Sequence, residues 1–105
     1  MATKADVDAA LFLHTGKASG IKAADLAKQL DCDPRQVRLL VTELRLEGRA
    51  VCGHPKTGYF IAATPEEVEE TCAYLRTRAL HSLALESKLR HVPLTELLGQ
   101  MRLKT

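Results

Sequence analysis

The side chains best suited to chemistry lie in one segment, DPRQVRLLVTELRLEG, which begins at Asp33. Val37, Leu40, Val41 and Leu44 recur there at i, i+3, i+4 and i+7, the spacing of one buried helical stripe. Arg35, Gln36, Arg38, Thr42 and Arg45 then face solvent, with Leu39 near the border. A guanidinium can pair with a guanine edge or a phosphate, a Gln amide with adenine, and a Thr side chain with a thymine methyl or a phosphate. These residues are therefore candidates for DNA contact. The N-terminal part of a groove helix reaches base edges, so Arg35, Gln36 and Arg38 come first and Leu39 and Thr42 flank them. A plain solvated helix face has a similar composition. The surrounding elements decide between the two.

Those elements are legible in order. Lys4 to Thr15 approaches a helical period through Val7, Ala10, Leu11 and Leu13, and Gly16 reads as its stop. GKASG is a loop, and Ile21 after it is a candidate short strand. Lys22 to Leu30 forms a second helix with Ala23, Leu26, Ala27 and Leu30 on one face; the small alanines allow a close helix crossing. Asp31-Cys32-Asp33 is the turn. Asp33 can cap the third helix and Pro34 suits its first position, while Gly48 ends it. Ala50-Val51-Cys52 and Tyr59-Phe60-Ile61 flank GHPKTG, which predicts a β-hairpin. Its tip offers His54, Lys56 and Thr57 to a phosphate or a minor groove; it also fits a plain polar connector. Tyr59 has two possible places, over the third helix or on the DNA-facing edge.

The order of a helix, then IKAADLAKQL, DPRQVRLLVTELRLEG and VCGHPKTGYFI, resembles a winged helix-turn-helix domain of bacterial and phage regulators. The resemblance covers about Val7 to Ala62, and the compact form with a helical tail is similar to small regulators of temperate or Mu-like phages. It implies a three-helix core, a recognition helix over 34–47 in the major groove and a wing over 52–60 on the backbone or minor groove. The expected function is sequence-specific binding of double-stranded DNA in transcription regulation. Winged domains that bind left-handed duplexes carry Asn and Tyr where Arg38 and Thr42 stand here, which disfavours that variant. The fold is widely reused, so it does not specify a target.

Thr64-Pro65-Glu66-Glu67 opens a long fourth helix with a cap, a proline and acid at the positive end of the dipole, and base follows toward Arg90. Pro93 breaks it, and Thr95 to Leu103 forms a short last helix that frays at Lys104-Thr105. The expected fold is thus mainly α with a small β-hairpin: a winged domain over 1–63 and a helical extension over 64–105. Leu75, Leu80, Leu83, Leu85 and Leu89 lie on more than one helix face. The surplus face is covered by the last helix, by a second copy in a homodimer, or by another protein. The heptad pattern is too irregular for a coiled coil.

Other chemistry finds little support. The 105 residues fit one compact domain, and the formal charge of +2 makes the distribution of charge matter more than its sum. Cys32, Cys52 and Cys72 have no paired spacing, so a disulfide framework or structural zinc is not expected, and they read as buried or half-buried thiols. His81 and His91 read as helix-surface groups, and Glu66 to Glu70 as a dipole-matched start. No catalytic triad, phosphate loop or H-E-x-x-H occurs, so neither an enzyme nor a cofactor is expected. The first residues carry acid and lack an unbroken apolar core, and no apolar run is of membrane-spanning length; the expected location is the cytoplasm of a bacterium or phage-infected cell. The competing function is a protein-interaction module, or a replication or transposition accessory, that docks partners through the C-terminal helices.

Overall fold

The computed structural model describes residues 2–101. It is mainly helical, with one two-stranded antiparallel sheet. The elements are α1 (Lys4–Leu11), a 3₁₀ turn at Lys17–Ser19, α2 (Ala23–Gln29), α3 (Pro34–Leu46), β1 (Val51–His54), β2 (Gly58–Ile61), α4 (Pro65–Arg90) and α5 (Leu94–Gln100). The expected end of the last helix at Leu103 and the fraying at Lys104-Thr105 lie outside the described residues. The chain divides into two compact units at Thr71 and Cys72, inside α4, whereas the sequence boundary falls at its start, near Thr64.

In the first unit, α1, α2 and α3 enclose one apolar core. Val7 and Leu11, Leu26 and Ala27, and Val37, Val41 and Leu44 are buried there with Ile21 and Val51. Each fully buried aliphatic side chain contributes about 1.5–3 kcal/mol through area removed from water. Local signals start the helices. Thr3 and Asp6 form a reciprocal capping box at α1. The Asp33 carboxylate accepts the Arg35 amide at 2.8 Å to open α3, the N-cap arrangement.

Helices α2, α3 and α4 end alike. Each closes on a residue with positive φ: Asp31 (51°), Gly48 (91°) and His91 (55°). In each the next amide reaches back to the last turn: Cys32 to the Ala27 carbonyl (2.9 Å), Arg49 to Leu44 (3.0 Å) and Val92 to Ser87 (3.1 Å). This is the Schellman arrangement, which satisfies carbonyls that would otherwise be orphaned.

Helix α1 stops at Leu11, short of the expected Thr15. The cause is tertiary. The Ile61 amide donates to the His14 carbonyl and the Gly16 amide to the Ile61 carbonyl, both at 2.8 Å, so this stretch runs as extended chain beside β2. Phe12 and Leu13 are left exposed. Gly16 is therefore a strand-side residue with φ 91° rather than the helix stop.

The strands are longer at the turn than the sequence indicates, because Gly53 and His54 pair with Tyr59 and Gly58. Pro55, Lys56 and Thr57 form the turn, closed by the Thr57 amide on the His54 carbonyl (3.1 Å). Ile21 adds an isolated antiparallel bridge beside β2: its amide and carbonyl both bond to Tyr59, at 2.9 and 2.7 Å. Gly58 makes this approach possible. Its φ is 78°, a left-handed value that glycine adopts without penalty. A Cβ there would collide with the Ile21 carbonyl and lie 2.7 Å from the Lys22 amide nitrogen. The sheet is covered on both faces. Val51 joins the helical core, while Cys52 and Phe60 are buried on the other side, where the Cys52 thiol meets the Glu67 carbonyl. Thr71 of α4 accepts the Gly53 amide on that side, at 3.3 Å.

In the second unit α4 continues to Arg90, turns at His91 and leads into α5. Leu97 is buried, whereas Leu80, Leu85, Leu89 and Leu98 are exposed. Among the described residues no helix is long and apolar enough to cross a membrane.

Candidate nucleic-acid interface

Helix α3 presents its buried stripe to the core and the opposite face to solvent. Arg35, Leu39 and Thr42 stand at i, i+4 and i+7 along the exposed face, with Arg38 beside them. The Thr42 hydroxyl donates to the Arg38 carbonyl at 3.0 Å, which leaves its methyl group and an oxygen lone pair for an outside partner. Leu39 is 60 % exposed in the middle of this polar row.

Two residues expected on that face are turned away from it. Arg45 is half-buried: its Nε donates to the Val51 carbonyl at 2.7 Å, and its guanidinium lies 5.9 Å from the centroid of Tyr59. It stands on the flank of α3 that meets the hairpin, where a buried strand carbonyl and an aromatic face offer better partners than water. Gln36 lies on the other flank, half-buried, with its amide donating to the Ala2 carbonyl at 3.3 Å. Both are corrections to the solvent-facing assignment. Tyr59 in turn lies over the third helix rather than on an outer edge. It crosses Gly53 so closely that a Cβ there would fall 2.8 Å from its ring.

The hairpin residues also divide. Lys56 is exposed in the turn. His54 and Thr57 are half-buried and serve the turn itself. The Lys56 amide donates to His54 Nδ1 at 3.1 Å. The Thr57 hydroxyl donates to the Gly58 carbonyl at 3.2 Å. With Phe60, Lys17, Glu70 and Thr71 they line a shallow cleft of about 200 Å³.

Ion pairing sorts the positive charges of the first unit. Lys4 pairs with Glu47, Lys17 with Glu70 at 3.0 Å and Arg49 with Asp8 at 2.7 Å. The neighbouring carboxylates of Glu47, then Glu43, hold the Lys4 ammonium above its ordinary value. Glu43 and Glu47 therefore lie on the flank of α3 toward Lys4. Lys22 donates to the Pro55 carbonyl. Among the described residues of this unit, the cations whose side chains have no acid or carbonyl partner are Lys28, Arg35, Arg38 and Lys56. Surface pairs stabilise little. Their consequence is that the uncompensated charge sits on α2, the first turns of α3 and the hairpin turn.

Thr64 to Glu67 has capping-box spacing, but no sequence signal marks the reach of Glu67 to the distant Lys17 amide. The Glu67 amide donates to the Thr64 hydroxyl as a cap, and its carboxylate accepts the amides of Ala63 (2.7 Å) and Lys17 (2.9 Å). These bonds, Ala63 first, pull its pKa below the ordinary carboxylate value. It clamps two loops rather than only matching the helix dipole. Cys32 is half-buried, Cys52 is buried, and Cys72 is exposed, contrary to expectation, on α4. Among the described residues no three His, Cys, Asp or Glu side chains come together as metal ligands. No protein-family model matches the chain, and no curated protein or solved structure does so either.

Proposed function

We propose that the chain is a winged helix-turn-helix protein that binds double-stranded DNA as a sequence-specific transcription regulator of phage or bacterial type. Helix α3 enters the major groove and the hairpin turn touches the backbone or the adjacent minor groove. The observation that carries this reading is the exposed row Arg35, Arg38, Leu39 and Thr42, whose two arginines have no acid partner among the described residues. It lies opposite the face that α3 buries in the core. Exposed Lys56 and Lys28 are further cations for phosphate contacts. Arg45 and Gln36 act within the fold, and His54 and Thr57 shape the turn that presents Lys56.

The salt dependence of duplex binding tests this reading, since counterion release makes affinity fall as salt rises. A competing reading, a module that docks a partner protein or a second copy through its C-terminal helices, is supported by exposed Leu80, Leu85, Leu89 and Leu98. Under that reading duplex affinity is weak and nearly independent of salt, and site selection yields no preferred sequence.

A further inference from the structure

An apolar side chain at the centre of a groove-facing row calls for an apolar partner in the groove. Leu39 is 60 % exposed, while Val37, Val41 and Leu44 of the same helix are at most 4 % exposed in the core. It therefore contributes little to packing. Its neighbours along the exposed row are Arg35 one turn before and Thr42 one turn after, and Arg38 adjoins it. The major-groove edges of base pairs are hydrogen-bonding groups with one apolar exception, the methyl carbon at C5 of a pyrimidine. A leucine there cannot pair with the polar edges and would leave them dry and unsatisfied. Against a C5 methyl it buries apolar surface on both partners.

We propose that Leu39 is a specificity-determining residue that selects a 5-methylpyrimidine in the bound site. This inference rests on the DNA-binding reading of α3. Along a helix axis, Arg35 and Leu39 are separated by about 6 Å, and Leu39 and Thr42 by about 4.5 Å. Base pairs rise about 3.4 Å each. The methyl group read by Leu39 thus lies within about two base steps of a guanine read by Arg35 or Arg38. Thymine is one source of this methyl; 5-methylcytosine is the other. Leu39 has a further useful property. Its replacement by Ala removes the apolar head without opening a core cavity, and Ala is the better helix former. Loss of recognition is thereby separable from loss of fold.

The test starts from duplexes selected by the wild-type protein. Each thymine of the selected site is replaced in turn by deoxyuridine, which removes only the methyl. Affinity is measured for the wild type and for Leu39→Ala, with circular dichroism as the check on fold. One buried methyl corresponds to about fourfold in affinity at the usual hydrophobic increment. The expected result is a loss of about that size at one position for the wild type and none there for Leu39→Ala. At that position 5-methylcytosine binds about fourfold tighter than cytosine, a pair that likewise differs only by the methyl. Tight duplex binding with no deoxyuridine effect at any position overturns the role of Leu39 and leaves the DNA-binding reading intact. So does an equal methyl effect in wild type and variant. Absence of duplex binding at low salt overturns both.

Discussion

Arg38 and Arg45 sit seven residues apart on one helix, and the structure gives them different surroundings. Arg45→Ala removes a 2.7 Å bond to the Val51 carbonyl and the guanidinium that lies 5.9 Å from Tyr59. A hydrogen bond from a charged donor contributes roughly 1.5–3 kcal/mol and an exposed cation–π contact about 0.5–1 kcal/mol. Arg45 is half-buried, so water takes over part of both, and a net loss of about 1–2 kcal/mol is expected. For a unit of this size that corresponds to a fall in Tm of roughly 4–15 °C. Arg38→Ala touches no such partner and should change stability by less than about 0.5 kcal/mol. On the proposed DNA-binding reading its effect falls on duplex recognition, with site preference lost and the fold intact. Urea unfolding of both variants, read by circular dichroism beside duplex binding, separates the two effects. Unchanged stability in Arg45→Ala, or clear destabilisation by Arg38→Ala, would refute the division of α3 into a structural flank and an exposed face.

Two further outcomes test the frame around that face. Gly58→Ala combines a φ of 78° with a Cβ that collides with the Ile21 carbonyl, so the bridge between Ile21 and Tyr59 must move. Thermal unfolding should show a loss of roughly 2 kcal/mol or more, and wild-type stability would contradict the packing described. Glu67 has its folded pKa lowered from the ordinary 4.5, so its contribution is present above that value and is lost as pH falls through the folded pKa. Glu67→Gln should therefore flatten the fall in stability below pH 4.5, measured by urea midpoints across the acid range, and an unchanged acid limb would show that the Ala63 and Lys17 amides do not hold the carboxylate.

The sequence carried the helix pair well because its signals are local. Asp33 caps, Pro34 starts α3, Gly48 stops it, and the alanines and leucines of α2 mark one face; all are properties of neighbouring residues. What it could not carry depends on distant partners. The early end of α1 follows from bonds between His14, Gly16 and Ile61. Arg45 has the spacing of a solvent residue, yet it lies on the flank beside a strand that begins six residues later, and only the folded hairpin supplies the carbonyl it takes. Gln36 is drawn inward by Ala2 in the same way. The pairs of Lys4 with Glu47 and Lys17 with Glu70 span most of the first unit in sequence, so the sorting of charge that leaves Arg35 and Arg38 uncompensated was not visible from composition. Gly53, placed by sequence in the loop, belongs to β1 because its missing side chain makes room for Tyr59.

Uncompensated cations on α3 and the hairpin turn are the basis proposed for duplex binding. That role is tested most directly by the affinity for a selected duplex across a salt titration, in the wild type and in Arg35→Ala/Arg38→Ala. Three to four cationic contacts give a slope of about −3 in log affinity against log salt, a loss on the order of 50-fold between roughly 50 and 200 mM. The double variant should bind more weakly, with a slope reduced to roughly −1. A slope near zero for the wild type, or the same slope in the folded double variant, would contradict the account.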